Sequence, residues 1–173
     1  MGCQLLGAVS LGIYPKQAVE QIRYILDHSD TRVVLVADQA ELDNVLAACD
    51  GLDRVIACKV IAIIPWQEQL FVANDSRDAR MTSPGQLEGA PLSDDDIVAI
   101  QQQIDPDSTA IFIYTSGTTG PPKGAMISHR NILSLLVAQS GTVDMFEDDL
   151  SRNFLPMAHA AERVMGFYGR INS

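Results

Sequence analysis

The sequence predicts an α/β fold in which mainly parallel strands are layered with helices. Short apolar runs of strand length alternate with segments whose apolar residues recur at helical spacing, which is typical of a layered sheet. The 173 residues are 47% hydrophobic and 20% charged, an ordinary globular balance that supports one hydrophobic core. We therefore expect one domain over residues 1–173, with a loop or subdomain connection at residues 74–94, where Ser, Asp, Gly and Pro accumulate.

The first half of the chain is predicted to alternate between strand and helix. The apolar spacing places strands at residues 9–13, 32–36 and 55–64, and helices at residues 17–27 and 39–49. Residues 32–36 form a continuous, largely β-branched run, which predicts a buried parallel strand.

The second half carries clear helix start signals. Ser93 precedes Asp96 by three residues, a spacing like that of a capping box, and predicts a helix at residues 94–104. Strands are expected at residues 109–114 and 125–127. Ser128 is then a fitting N-cap for a helix at residues 129–140 whose core-facing side chains are Ile132, Leu135 and Leu136.

Charge and cysteine content narrow the function classes. Twelve basic and 22 acidic residues give a net charge of −10, which argues against nucleic acid as a partner. Three cysteines without a CxxC pair favour a reducing compartment, and we expect a cytoplasmic protein. No apolar stretch approaches the ~20 residues that span a bilayer, and peripheral contact with a membrane stays open.

The strongest chemical signal is a loop rich in glycine and hydroxyl residues between two predicted strands. Glycines permit close backbone approach, and successive backbone N–H groups of such a turn form an anion nest. Hydroxyls donate hydrogen bonds and can ligate Mg²⁺, and a lysine adds a full positive charge. The candidate phosphate-binding residues are Thr115, Ser116, Gly117, Thr118, Thr119, Gly120 and Lys123. A flexible surface loop is the alternative interpretation.

The loop is not a Walker A motif, because Pro121 and Pro122 separate Gly120 from Lys123. Instead, residues 114–124 (YTSGTTGPPKG) resemble the signature of the adenylate-forming superfamily. Residues 12–15 (GIYP), 20–29 (EQIRYILDHS) and 155–159 (LPMAH) with the following Glu162 and Arg163 resemble its long-chain acyl-CoA synthetase branch.

The resemblance implies a two-step reaction with ATP, Mg²⁺ and CoA. A long-chain fatty acid carboxylate attacks the α-phosphate of ATP, and the CoA thiol then displaces AMP from the acyl-adenylate. By the same resemblance, Thr115 to Lys123 hold the β- and γ-phosphates, Thr118 contacts Mg²⁺, and Lys123 and His159 are the candidate catalytic residues. A role for His159 as a helix-capping or packing residue is an equally weighted alternative. Glu162 and Arg163 are either a solvated pair or part of the acyl pocket.

Members of this superfamily are several times longer, and several of their segments have no counterpart in this sequence. We therefore expect part of an adenylation domain that is not a competent ligase alone. Two neighbouring alternatives are a fatty acyl-AMP ligase that serves a carrier protein and a non-catalytic nucleotide- or partner-binding module. A chain that does not fold stably is a further alternative. Acyl chain length and oligomeric state are not encoded in any recognisable pattern.

Overall fold

The computed structural model describes residues 2–36, 38–51, 59–62, 81–82, 91–115, 120–142 and 155–171. In chain order, its strands are β1 (Ser10–Leu11), β2 (Val33–Val36), β3 (Lys59–Ala62), β4 (Met81–Thr82), β5 (Thr109–Thr115) and β6 (Lys123–Ser128). Its helices are α1 (Gly2–Leu5), α2 (Val19–His28), α3 (Gln39–Cys49), α4 (Asp94–Gln102), α5 (His129–Ser140), a π-helix at Glu162–Tyr168 and α6 (Gly169–Ile171). This composition confirms the predicted α/β class.

The chain divides into two compact units, one made of residues 15–91 and the other of residues 1–14 with 92–173. Of the predicted connection at residues 74–94, the structure describes β4 and residues 91–94, and the rest lies outside the described residues.

The unit of residues 15–91 contains a parallel sheet in the order β2-β3-β4. Val33 pairs with Lys59 and Val60 pairs with Met81, so the predicted parallel strands are confirmed. Helices α2 and α3 pack against each other and supply most of the core. Its buried side chains are Ile22, Ile25, Leu26, Val34, Val36, Leu42, Val45, Ala48 and Cys49.

The prediction that residues 32–36 are uniformly buried is wrong. Val34 and Val36 are buried, but Val33 and Leu35 are 51% and 54% exposed. Successive strand side chains point to opposite faces, so the core of this unit covers only one face of β2. A continuous apolar run therefore does not establish two-sided burial.

The second unit contains a mixed sheet in the order β1-β5-β6. Strands β1 and β5 are parallel, with Leu11 opposite Phe112. Strands β5 and β6 form an antiparallel hairpin, so the expected parallel arrangement holds for only part of this sheet. The core joins β5, α5 and the π-helix through Ala110, Ile111, Ile113, Ile132, Leu136, Val164 and Tyr168.

Both predicted helix starts in this unit are confirmed. Ser93 Oγ accepts from the Asp96 N–H at 3.2 Å, and Asp96 accepts from the Ser93 N–H at 3.0 Å. Ser128 caps α5 through an equivalent reciprocal pair with Asn131. Helix α4 ends at Gln102, two residues before the predicted end.

Within α5, Ile132 and Leu136 are buried as predicted, whereas Leu135 is 44% exposed. The buried stripe follows the i, i+4 spacing from Ile132 to Leu136, and Leu135 lies on its flank. The prediction that Leu135 faces the core is therefore wrong.

Helical residues 160–171 widen into a π-helix over most of their length, which the sequence did not predict. The Gly169 N–H donates to the Val164 carbonyl five residues earlier. A Cβ on Gly169 would lie 2.9 Å from the Gln139 amide, so the glycine allows this helix to approach α5 closely. No helix in the described part of the chain is long and apolar enough to cross a membrane.

Candidate functional site

The β5–β6 hairpin brings two of the predicted phosphate-binding residues together. Thr115 is the last residue of β5, Lys123 is the first of β6, and the two are paired across the hairpin. Directly opposite residues of antiparallel strands have Cβ atoms about 4.5–5.5 Å apart. Both residues are exposed, so a hydroxyl and an ammonium group originate side by side at the base of the loop.

The loop of residues 116–122 connects these two positions. Gly120 has φ +100°, a conformation that other residues rarely adopt. The predicted need for glycine is therefore confirmed at this position. Ser116, Gly117, Thr118 and Thr119 lie outside the described residues, and with them the predicted Mg²⁺ contact of Thr118.

Tyr114 and Gly124 fix the base of the hairpin on its other face. They are paired one step before Thr115 and Lys123, and strand side chains alternate between faces. Tyr114 is buried, and a Cβ on Gly124 would lie 3.1 Å from Tyr114 Cζ. The ring thus lies against the Gly124 backbone, and Thr115 and Lys123 project away from it.

His159 caps the helical segment of residues 160–171. Its side-chain Nδ1 accepts a hydrogen bond from the Ala161 backbone N–H at 3.2 Å. The backbone N–H of His159 donates to the Pro156 carbonyl at 2.8 Å. The capping alternative is therefore realised in the structure. The side chain is exposed, so its Nε2 remains accessible for a second interaction.

Glu162 and Arg163 are not a solvated pair, because Glu162 is only 6% exposed. Its Oε2 accepts from the Leu155 N–H at 3.2 Å, and its Oε1 has no hydrogen-bond partner among the residues that the structure describes. Arg163 instead donates to Ser10 Oγ at 2.8 Å. Ser10 was not identified from the sequence, because 153 positions separate it from Arg163 and no local pattern marks the contact.

His159 and the hairpin loop lie at the same edge of the sheet. Gly12 follows β1 directly, and a Cβ built on it would be 2.7 Å from Ala158 Cα, next to His159. Because β1 runs parallel to β5, Gly12 lies at the edge where the loop leaves Thr115. In open α/β sheets, ligands bind at the carboxyl ends of parallel strands. A bound molecule could therefore contact both segments.

The described residues contain no group of three His, Cys, Asp or Glu side chains that could hold a metal ion. Among the described residues, this edge carries the Thr115 hydroxyl, the Lys123 ammonium group and the His159 imidazole. Such a set suits an anion, since the hydroxyl and the ammonium group both donate hydrogen bonds.

The chain thus combines an α/β fold with a glycine-bearing hairpin at the carboxyl edge of its sheet. The family of AMP-binding enzymes matches residues 1–172. This chain belongs to that family.

Several relatives align with nearly the whole chain. A long-chain-fatty-acid–CoA ligase of Homo sapiens is 30% identical over 95% of this chain and 24% of its own length. A chloroplastic long-chain-fatty-acid–acyl-carrier-protein ligase of Arabidopsis thaliana is 31% identical over 96% of this chain and 24% of its own length. The chain thus spans about a quarter of the length of the curated relatives that it matches across most of its own length.

Solved structures of low sequence identity share the fold. A red-emitting luciferase from Phrixothrix hirtus superposes with a TM-score of 0.67 at 21% identity, over 98% of this chain and 30% of that one. A malonyl-CoA ligase with methylmalonyl-CoA and AMP bound gives a TM-score of 0.62 at 23% identity, over 98% and 29% of the two chains.

Proposed function

We propose that this chain forms part of a ligase that activates a long-chain fatty acid with ATP and transfers the acyl group to CoA. The observation that carries the proposal is the cross-strand pair of Thr115 and Lys123 at the base of the Gly120 loop. The names of the relatives from Homo sapiens and Arabidopsis thaliana support a long-chain fatty acid as the substrate.

The reaction has two steps whose bonds balance. A carboxylate oxygen of the fatty acid attacks the α-phosphorus, and the bond from that phosphorus to the pyrophosphate oxygen breaks. The thiol sulfur then attacks the acyl carbonyl, loses its proton and expels AMP. Positioning and charge stabilisation account for most of such catalysis, because the protein forms no covalent bond to the substrates.

Lys123 and the loop would bind the phosphate groups. The exposed Lys123 ammonium neutralises charge on the β- and γ-phosphates, while Thr115 and the loop residues donate hydrogen bonds. The loop candidates are Ser116, Gly117, Thr118, Thr119 and Gly120. Gly120 has no Cβ and a φ of +100°, which fits close approach of a phosphate to the backbone.

The Thr118 hydroxyl is the residue that would hold Mg²⁺, because Mg²⁺ prefers hard oxygen ligands. When bound, the ion would supply positive charge beside the phosphate groups. His159, at the same edge of the sheet, would then contact the acyl-adenylate.

Thermal denaturation with and without Mg-ATP tests the phosphate site. A ligand that binds only the folded chain adds ~2.7 kcal/mol at 100 times its Kd, which corresponds to about 5–10 °C for a chain of this size. Lys123→Gln keeps the side-chain length and removes the charge, and we expect it to abolish the shift. Lys16→Gln is the matched control, since it makes the same change at an exposed lysine that is not among the candidate phosphate-binding residues, and it should leave the shift unchanged.

The outcomes separate the alternatives. An unchanged shift in Lys123→Gln would contradict the proposed site. A shift that requires Lys123 without formation of acyl-adenylate or pyrophosphate by the whole protein would favour the non-catalytic nucleotide-binding module.

The Arabidopsis thaliana relative favours a second acceptor, the phosphopantetheine thiol of an acyl carrier protein. CoA ends in the same thiol group, so the chemistry of the second step is identical. Supplying labelled fatty acid and ATP with either acceptor distinguishes the two. If the labelled acyl group is found only on the carrier protein, the carrier protein and not CoA is the acceptor.

We infer that the reaction takes place in the cytoplasm. Peripheral contact with a membrane is an alternative, because a long-chain fatty acid is an amphiphile. Flotation with lipid vesicles tests this alternative. Recovery of the protein with the vesicles at physiological salt would establish membrane contact.

A further inference from the structure

We propose that Glu162 is a positioning residue that holds the segment of residues 155–159 so that His159 presents an Nε2–H donor to the bound acyl group. The inference rests on the proposed function for the identity of the acyl ligand. The arrangement of Glu162 and His159 is independent of that identity.

The hydrogen bond from Ala161 determines the tautomer of His159. A backbone N–H can only donate, so Nδ1 must offer a lone pair at 3.2 Å. A neutral imidazole carries one proton, which is therefore on Nε2. In this state the exposed ring nitrogen donates a hydrogen bond and cannot act as a base. A carboxylate or acyl-phosphate oxygen is the matching acceptor.

Glu162 occupies the position from which an ordinary capping box would be completed. With His159 as N-cap, Glu162 is the third helical residue, as Asp96 is for Ser93 and Asn131 for Ser128. In those two boxes the third residue accepts from the N-cap N–H. Here the His159 N–H donates to the Pro156 carbonyl, and Glu162 accepts from the Leu155 N–H instead.

The segment that carries His159 is held by hydrogen bonds on both sides. Before His159, the Leu155 N–H donates to Glu162; after it, the Arg163 backbone N–H donates to the His159 carbonyl at 3.1 Å. Gly12 presses on Ala158 in the middle. Removal of the Glu162 carboxylate would release Leu155 and allow the turn, and with it the imidazole, to rotate.

The burial of Glu162 needs an explanation beyond packing. A buried carboxyl group costs stability when one oxygen lacks a partner, as Glu162 Oε1 does among the described residues, and an apolar side chain would avoid that cost. The π-helix that begins at Glu162 is a second unusual feature of the same turn, and such segments are frequent at functional sites. Both features fit a residue whose role is to hold the nearby His159 in position.

Imidazole nitrogen chemical shifts measured on 15N-histidine-labelled chain test the proposal without ATP or fatty acid. His159 is assigned by its loss in His159→Gln. In the unsubstituted chain at neutral pH, we expect a protonated, pyrrole-type Nε2 and a pyridine-type Nδ1. Glu162→Ala should move both shifts towards the average of two exchanging tautomers, whereas Glu162→Gln, which retains an acceptor oxygen, should preserve them.

Glu20→Ala removes an exposed glutamate from α2 and serves as the control for charge. A folded Glu162→Ala chain with unchanged His159 shifts would overturn the proposal. If Glu162→Ala does not fold, the amide exchange rate of Leu155 in the unsubstituted chain tests whether its N–H is hydrogen-bonded to Glu162. We expect it to be slowed about fivefold or more, because a hydrogen bond worth about 1 kcal/mol must open before the amide exchanges. Exchange at the rate of a free amide would also overturn the proposal.

None of these measurements uses a nucleotide. Loss of Mg-ATP binding in the chain would therefore contradict the phosphate site and leave the His159 tautomer intact. Conversely, a mixed tautomer in the unsubstituted chain would remove this inference and leave the phosphate site standing.

Discussion

Gly12 approaches Ala158 so closely that a Cβ built on Gly12 would lie 2.7 Å from the Ala158 Cα atom. The obstructing atom is backbone, which cannot rotate away. The contact joins the end of β1 to the turn that carries His159, although the two lie at opposite ends of the sequence.

We predict that Gly12→Ala destabilises the unit of residues 1–14 and 92–173 by about 1–3 kcal/mol, the usual cost of overpacking. Gly2→Ala is the matched control, because no described residue beyond its chain neighbours and its own helix lies within 4 Å of a Cβ at that position. Urea denaturation followed by circular dichroism measures both. Equal midpoints for the two variants would refute the close approach.

The base of the hairpin offers a second test of a glycine contact. A Cβ on Gly124 would lie 3.1–3.3 Å from two ring atoms and the hydroxyl oxygen of the buried Tyr114 side chain. We expect Gly124→Ala to cost about 1 kcal/mol and to weaken Mg-ATP binding, because the displaced ring would disturb the adjacent Thr115–Lys123 pair. Melts with and without nucleotide measure both effects.

Gly141 provides the control for the hairpin variant. It ends α5 with φ −84°, and a Cβ there would meet only ordinary contacts at 3.7 Å and beyond. Gly141→Ala should leave both stability and nucleotide binding unchanged. A Gly124→Ala chain that behaves like Gly141→Ala would show that the ring can yield.

Local features of this fold were predictable from the sequence, and long-range ones were not. The helix starts at Ser93 and Ser128 follow from hydrogen bonds between residues three apart, so the pattern itself contains both partners. The glycine requirement at Gly120 is local in the same sense. In contrast, the Arg163–Ser10 hydrogen bond joins residues 153 positions apart.

Burial was the least predictable property. Leu35 and Leu135 have apolar side chains of the kind that form cores. Each nevertheless lies on the side of its strand or helix that faces away from the described core. The burial of Glu162 could not be predicted either, because glutamate side chains are mostly exposed and the hydrogen bond from the Leu155 N–H is visible only in the structure. The site is therefore predictable as a loop signature, and its supporting contacts require the structure.

The two confirmed capping boxes should differ in their effect on global stability. Ser128 caps α5, which contributes Ile132 and Leu136 to the core, whereas α4 has no buried residue. We predict that Ser128→Ala lowers the free energy of unfolding by about 1 kcal/mol. Ser93→Ala should instead increase amide exchange within α4 and change the global midpoint much less. Equal global losses would mean that α4 unfolds together with the core.

The contact between Asp107 and Arg130 makes the stability of the folded chain depend on pH in the acidic range. Arg130 Nε lies 2.6 Å from Asp107 Oδ1, and its Nη2 donates to Oδ2 at 3.0 Å. This bidentate contact with the Arg130 guanidinium holds the pKa of the Asp107 carboxyl below its ordinary value. A lowered carboxyl pKa stabilises the folded chain above the unfolded pKa of about 3.9, and the stabilisation is lost as pH falls through the folded value.

Asp107→Asn should therefore lower stability slightly at neutral pH and flatten its dependence on pH in the acidic range. The effect should be small, because both side chains are exposed and salt screens such pairs. Arg130→Gln removes the other partner and should reproduce the same flattened profile, and high salt should reduce the difference from the unsubstituted chain. Melting temperatures measured from pH 2 to pH 7 at two salt concentrations test this. Acid profiles of the two variants that differ from each other would show that Asp107 is stabilised by a group other than Arg130.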